Sequence, residues 1–257
     1  MSLAFSAYKY LPWLIQAKGK HGIHSPFVFD LLCNVLSDKG NYYAYDLIES
    51  VRAGLLLSDE KIDVVDFGTG NNGQRAVSEI ARKSVSPKKY GQLLFRMVNR
   101  FQPKTILEMG TSLGISTLYL SMPLSSGRII SLEGSPGIAH LAEHNFKRLR
   151  RTNIELMVGE FDDTLPVALE KLGQLDMAWF DGNHRGDATI RYFESCIPFA
   201  HEGSVLMFDD IHWSADMHAA WDKIRMHERV TLSIDLYRMG MLFFSEQRVR
   251  QHFQLRW

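Results

Sequence analysis

From Tyr90 onward two hydrophobic rhythms take turns along the chain. Leu94, Met97, Val98 and Phe101 recur at helical spacing within 91-GQLLFRMVNRF-101, and the short apolar run 105-TILEM-109 follows as a strand. A glycine turn and a helix from about Ser116 come next. The exchange then repeats four times: strand 128–133 with helix 136–149, strand 154–159 with helix 164–172, strand 175–181 with a helix near 187–196, and strand 204–210 with helix 214–228. Two last apolar runs, 230–237 and 239–244, read as strands joined by a tight turn. Strands alternating with helices predict an α/β fold: a doubly wound, mostly parallel seven-stranded sheet whose final hairpin supplies a closing antiparallel strand.

The first 89 residues read differently. Tyr10, Trp13 and Leu14, then Phe27, Phe29, Leu31, Leu32, Val35 and Leu36, sit at helical spacing, interrupted in 19-GKHGIHSPF-27 by Gly19, Gly22 and Pro26. Two or three helices are expected here and no strand before residue 60. One short strand is expected over 62–66, a helix over 74–84 and a linker at 84-SVSPKK-89. The domain organisation that follows is a mostly helical extension, 1–89, and a sheet domain, 90–257.

Two glycine-rich turns compete for a ligand. The stretch 64-VVDFGTGNNG-73 places Gly68, Gly70 and Gly73 in the G-x-G-x-x-G spacing of dinucleotide sites, and 106-ILEMGTSLGIST-117 is less regular. A nucleotide site also needs an acidic residue at the end of the next strand, about 20 residues on, for the ribose hydroxyls. No strand follows Gly68, whereas strand 128–133 follows Gly110 and ends in Glu133. The second loop therefore has the better context. Its middle glycine is replaced by Ser112, its spacing is Gly110 to Gly114, and it follows Glu108 directly. A carboxylate there repels phosphate and suits a cation. S-adenosylmethionine carries an ammonium, a sulfonium and a ribose but no phosphate, and it matches this loop better than NAD does. The 64–73 loop is expected to be a connecting turn whose glycines supply positive φ; the functional alternative is a flap over the acceptor side.

Further carboxylates close later strands: Asp181 ends strand 175–181, and Asp209 and Asp210 end strand 204–210. Ligands of an open parallel sheet bind at the carboxyl ends of its strands. Three converging anions raise each other's pKa unless a cation neutralises them, and oxygen-only ligands suit Mg²⁺ or another hard divalent cation. Such an ion, chelated by an acceptor's oxygens, would make a hydroxyl nucleophilic at neutral pH. His184 in 181-DGNH-184 is the candidate general base. The bland counterparts stay open: strand-end aspartates also cap helices, and His184 could merely orient its loop. Trp179, Phe180, Trp213 and Trp221 read as core rather than acceptor wall, although Trp213 sits where it could line a pocket.

Composition narrows the partners. Lys+Arg and Asp+Glu number 29 each, which speaks against a nucleic-acid binder. Two cysteines, Cys33 and Cys196, suit a reducing compartment and buried structural roles. No apolar run reaches the ~20 residues of a membrane helix and no signal-peptide pattern is seen, so a cytoplasmic protein is expected.

On these residues the chain from 91 to 244 resembles the class I, Rossmann-like methyltransferases, especially small-molecule O-methyltransferases of the catechol and caffeoyl-CoA type. The segments that carry the resemblance are 101-FQPKTILEMGTSLGIST-117, 130-ISLEGSP-136, 158-VGEFDDTLP-166, 175-LDMAWFDGNH-184 and 203-GSVLMFDD-210. It implies that Glu108, Gly110, Ser112 and Ser116 line the methionine end of S-adenosylmethionine, with Gly114 completing the turn. It further implies Glu133 on the ribose, Phe161 and Asp162 at the adenine, and Asp181, Asp209 and Asp210 as metal ligands, with Asp181 also at the cofactor. The acceptor would be a small molecule, and a homodimer is the analogy from the fold. Two departures stand out: Asp210 replaces an asparagine of the catechol enzymes, and His184 stands where they have a lysine. Residues 1–89 have no counterpart there and resemble an extension of uncharacterised bacterial methyltransferase-like proteins with a G-x-HSPF segment. For 21-HGIHSPF-27 a helix–turn–helix packing element is preferred over a cap on the acceptor side. The competing functions are a methyltransferase that needs no metal or acts on nitrogen or RNA, and a nucleotide-binding module or oxidoreductase using 64–73.

Overall fold

The structure, a computed structural model, describes residues 3–65, 70, 72–245 and 249–257. Gly68 of the first glycine loop lies outside the described residues; Gly70 and Gly73 have φ of 72° and 146°, as expected of a turn. Residues 1–37 together with 171–257 form one compact unit and residues 38–170 a second.

Helices α1 (Leu3–Gln16) and α2 (Pro26–Leu31) open the chain, and α2 runs on into a π-helical turn, Leu32–Leu36. The HSPF segment is a helix start: Ser25 Oγ accepts the Val28 amide at 3.5 Å, and Pro26 occupies the first turn, where no amide is needed.

The unit of residues 38–170 begins with α3 (Tyr43–Leu56) and a hairpin of β1 (Lys61–Val64) and β2 (Gly73–Ala76), followed by α4 (Val77–Ser84) and α5 (Lys88–Phe101). The expected helix over 74–84 starts only at Val77: residues 73–76 first pair antiparallel with 61–64. Then come β3 (Thr105–Met109), α6 (Ile115–Ser121), β4 (Arg128–Glu133), α7 (Pro136–Arg148), β5 (Ile154–Val158) and α8 (Phe161–Leu172). Strand β4 lies between β3 and β5, all parallel. Gly114 ends the turn before α6 with φ 80°, and a Cβ there would stand 2.6 Å from the Phe146 ring. Only glycine meets both demands.

The other unit holds β6 (Leu175–Phe180), α9 (Gly186–Cys196), β7 (Ala200–Phe208), α10 (Ala215–Arg225), β8 (Leu232–Asp235), β9 (Gly240–Phe243) and β10 (Gln251–Gln254). Strands β6 and β7 are parallel, and β9 closes antiparallel to both β7 and β8. All seven expected strands are present, and the α/β class with its closing antiparallel strand holds. Strand β10 is an addition, parallel to β8, and Leu255 just beyond it bridges Lys18 in the N-terminal segment. Trp179, Phe180 and Trp221 are buried core as read from the sequence, whereas Trp213, also expected in the core, is 47% exposed. Cys196 is buried, which pushes its thiol pKa up, and both cysteines are free.

Candidate functional site

Two groups of carboxylates, one in each unit, carry the candidate chemistry. In the unit of residues 38–170 the turn 110–114 folds back on β4: the amides of Gly110 and Thr111 both donate to the Leu132 carbonyl, at 3.0 and 3.1 Å. That brings the turn to Glu133. Glu133 Oε2 accepts the Ser112 amide at 2.8 Å and Oε1 accepts the Ser135 amide at 2.9 Å, so its carboxylate faces the glycine turn. Ser112 has φ 48°, and this left-handed turn is what aims its N–H at the acid. The Glu133 carbonyl accepts the Gly159 amide at 3.0 Å, which sets the start of α8, with half-buried Phe161 and exposed Asp162, beside the end of β4.

Glu108 lies under the same turn with no exposed surface. Its Oε2 accepts the hydroxyls of Thr117 at 2.5 Å and Ser131 at 2.6 Å, and its Oε1 has no hydrogen-bond partner. Burial pushes its pKa up to about 7, the nearby hydroxyls of Ser116, Ser131 and Thr117 pull it back, and the charge of Glu133 adds to the rise. Burial also raises the pKa of Glu133, against the amides of Ser135, Ser112 and Gly134. Neither acid has an ion-pair partner among the described residues. A wholly buried carboxylate oxygen left unpaired is costly, and a positively charged ligand is the natural compensation. The pair therefore suits a cationic, hydroxyl-bearing and phosphate-free cofactor such as S-adenosylmethionine.

Segments read from the sequence as mere connection hold this turn from outside. Ser84, the last residue of α4, meets Ser112 with Oγ atoms 2.9 Å apart, and the Val65 amide donates to Ser135 Oγ at 3.1 Å. Both serines that present amides to Glu133 are thus tied to the 61–84 segment. Gly137 in the first turn of α7 packs so tightly on β1 that a Cβ would collide with the Asp63 carbonyl oxygen.

The second group lies at the ends of β6 and β7. Phe180 pairs with Phe208 in register, and the Asp209 amide donates to the Phe180 carbonyl at 2.9 Å, so Asp181 and Asp209 leave adjacent strands at one level. Asp209 is wholly buried. Arg238 takes both of its oxygens in a fork, Nε to Oδ1 at 2.9 Å and Nη2 to Oδ2 at 2.8 Å. The same Nε lies 3.4 Å from Asp210. Burial works against the guanidinium charge, but Asp209, Asp210 and Asp181 outweigh it and drive the Arg238 pKa up. Burial and the charge of Asp209 raise the pKa of Asp210, and Arg238 and His184 oppose the rise. His184 is exposed on a loop braced at both ends: Asn183 donates to the Tyr192 hydroxyl at 3.1 Å, and the Gly186 amide donates to Asp216 at 2.6 Å.

Asp209 and Asp210 share Arg238, so the cation beside these strand-end aspartates is a side chain. A divalent ion needs free carboxylate lone pairs in near-octahedral array; here a planar fork engages both oxygens of Asp209. Among the described residues no group of three or more His, Cys, Asp or Glu side chains is arranged to hold a metal. Asp181, Asp209 and Asp210 as placed do not fit Mg²⁺. Sequence reasoning missed Arg238. It lies in the turn 236–239 between β8 and β9, and the pairing of Phe208 with Gly240 is what delivers that turn to Asp209. No motif signals this; the strand order does.

Residues 107–211 match a family of methyltransferase domains. A catechol O-methyltransferase of Niastella koreensis is 31% identical over 131 residues, 50% of this chain and 58% of that protein. One of Mycobacterium tuberculosis is 29% identical over 136 residues, 52% of this chain and 60% of that protein. The chain thus spans about three fifths of the length of these relatives. Among solved structures, an O-methyltransferase from Bacillus cereus in complex with SAH superposes with a TM-score of 0.57 at 21% identity, covering 84% of this chain and 95% of that one. The resemblance drawn from the motifs holds, and the fold is that of the class I O-methyltransferases. No helix among the described residues is long and apolar enough to cross a membrane.

Proposed function

We propose that the chain transfers the sulfonium methyl group of S-adenosylmethionine to a hydroxyl of a small molecule. The observation that carries this reading is the uncompensated acid pair at the glycine turn: Glu133 aligned by the amides of Ser112 and Ser135, beside buried Glu108 with an unpartnered oxygen. In this reading Glu108, Gly110, Ser112, Gly114 and Ser116 hold the methionine end, Glu133 takes the ribose hydroxyls, and Phe161 and Asp162 hold the adenine. Asp181 and His184 serve the transfer step. Bound cofactor supplies an electrophilic methyl on a positively charged sulfur. With the methyl group passing to the acceptor oxygen, the imidazole of His184 would take the proton that this oxygen gives up. Holding the reactants in line is the main contribution of the protein, and general-base removal of the proton adds to it. The exposed indole of Trp213 offers a wall for the acceptor. Two free cysteines and balanced charge are in keeping with a cytoplasmic enzyme that binds no nucleic acid.

Calorimetric titration with S-adenosylmethionine and, separately, NADH tests the cofactor; heat with the first and none with the second is expected. Mass spectrometry of a panel of phenols, catechols and amines then reads a gain of one methyl group on oxygen. Binding of NADH but not of S-adenosylmethionine would end this reading.

A further inference from the structure

The three strand-end aspartates were the place for a divalent cation, yet a cation from within the chain, Arg238, already stands there. Arg238 engages both oxygens of Asp209 at 2.9 and 2.8 Å and approaches Asp210 to 3.4 Å. Asp181 acts on the same guanidinium. The fork is held from both sides. Arg238 sits in the turn between β8 and β9, and its carbonyl accepts the Ile211 amide at 3.1 Å, tying that turn to the loop after Asp210. Behind it, Asp235 accepts the Tyr237 amide at 2.7 Å and binds His212 at 2.9 Å. A guanidinium matches a carboxylate through two parallel donors and cannot be deprotonated near neutral pH, so it is a permanent counter-charge.

We propose that Arg238 takes the electrostatic place of a divalent cation among Asp181, Asp209 and Asp210, so that the site binds no metal and its acceptor needs no pair of adjacent oxygens. A chelated ion imposes a vicinal diol on the acceptor. An arginine–aspartate fork imposes no such geometry, and a lone hydroxyl beside His184 suffices. The acceptor part of this inference rests on the methyl-transfer reading; the exclusion of metal does not.

The test is a titration of Mn²⁺ into the chelator-treated chain of 257 residues, following the free-ion electron paramagnetic resonance signal. Wild type leaves the signal undiminished at equimolar ion. Arg238→Ala, which strips the counter-charge from three carboxylates, takes up one ion per chain, and adding Asp209→Asn abolishes the uptake. Wild-type uptake of one Mn²⁺ that Asp209→Asn removes would overturn the proposal. So would a folded Arg238→Ala that takes up none, because the guanidinium is then not what keeps the ion out. Should Arg238→Ala fail to fold, the wild-type titration alone decides. In the transfer assay, rates with and without chelator agree within about twofold, and phenols with a single hydroxyl are methylated. Activity on catechols alone, lost on chelation, would refute the acceptor part, while no transfer to any acceptor in the presence of bound S-adenosylmethionine tells against the methyl-transfer reading instead.

Discussion

Glu108 and Asp209 are both shut away from solvent, 0% and 1% exposed, and they are kept in opposite ways. Glu108 meets only hydroxyl donors, with a second acid nearby raising its pKa and one oxygen without a partner. Asp209 meets a guanidinium at both oxygens. The first arrangement leaves a charge cost standing in the folded protein, which is the mark of a place where a ligand brings the missing charge. The second is closed on itself, and its loss would be felt as instability. Acids at strand ends look alike in a sequence. What distinguishes a binding acid from a structural one is the group that neutralises it.

The sharpest way to break this contrast is to remove one acid from each group. Asp209→Ala strands Arg238 among what is left and should destabilise the chain by about 3–5 kcal/mol in urea unfolding, the usual cost of halving a buried pair. Glu108→Gln should do the reverse in the cofactor-free protein. The folded pKa of Glu108 is about 7 against an ordinary 4.5, so the proton it binds on folding stabilises the chain fully below pH 4.5. That contribution fades as pH rises through 7, a loss of about 3 kcal/mol that Glu108→Gln would not show. Unfolding midpoints at pH 5 and pH 8 compare the two proteins; equal pH slopes would mean that Glu108 is not held protonated by burial.

Smaller effects refine the picture. Glu108→Gln and Glu133→Gln should each weaken S-adenosylmethionine binding about 10- to 100-fold, the value of a hydrogen bond to a charged group, about 1.5–3 kcal/mol. Wild-type affinity should also fall below pH 7, where Glu108 takes up its proton. Calorimetry at pH 6 and pH 8 measures this, and a flat profile in the wild type would separate Glu108 from the ammonium. Ser84→Ala is the mildest probe. It removes one exposed hydrogen bond to Ser112 and should cost about threefold in cofactor affinity with little change in stability, consistent with about 0.5–1 kcal/mol for a neutral bond.

Most of the sheet was legible because strands such as β3 and β4 are short runs rich in Ile and Leu, bounded by turn residues and alternating with helical spacing. Strand β2, Gly73–Ala76, was not: GQRA carries no alternation and takes its form from pairing with β1. Strand β10, QHFQ, is short, and its sequence carries no strand signal beyond one aromatic residue. The carboxylates at the two groups were readable from the spacing of strand ends and glycines. Arg238 was not, since a lone arginine in a hairpin turn gains meaning only when β9 pairs antiparallel with β7 and carries it to Asp209. The serines of the turn were visible as turn residues, but their ties to Ser84 and Val65 span 28 and 70 residues, beyond any local pattern.

Those two ties have a mechanical meaning. Because Ser112 and Ser135 each hand an amide to Glu133 while gripping α4 and β1, the hairpin and the carboxylate form one elastic unit. Ordering of the acid by a ribose should slow amide exchange in segments that touch no ligand at all, most visibly along Lys61–Val64 and Val77–Ser84. The strand and helix that flank the first glycine loop would then report cofactor occupancy without touching the cofactor.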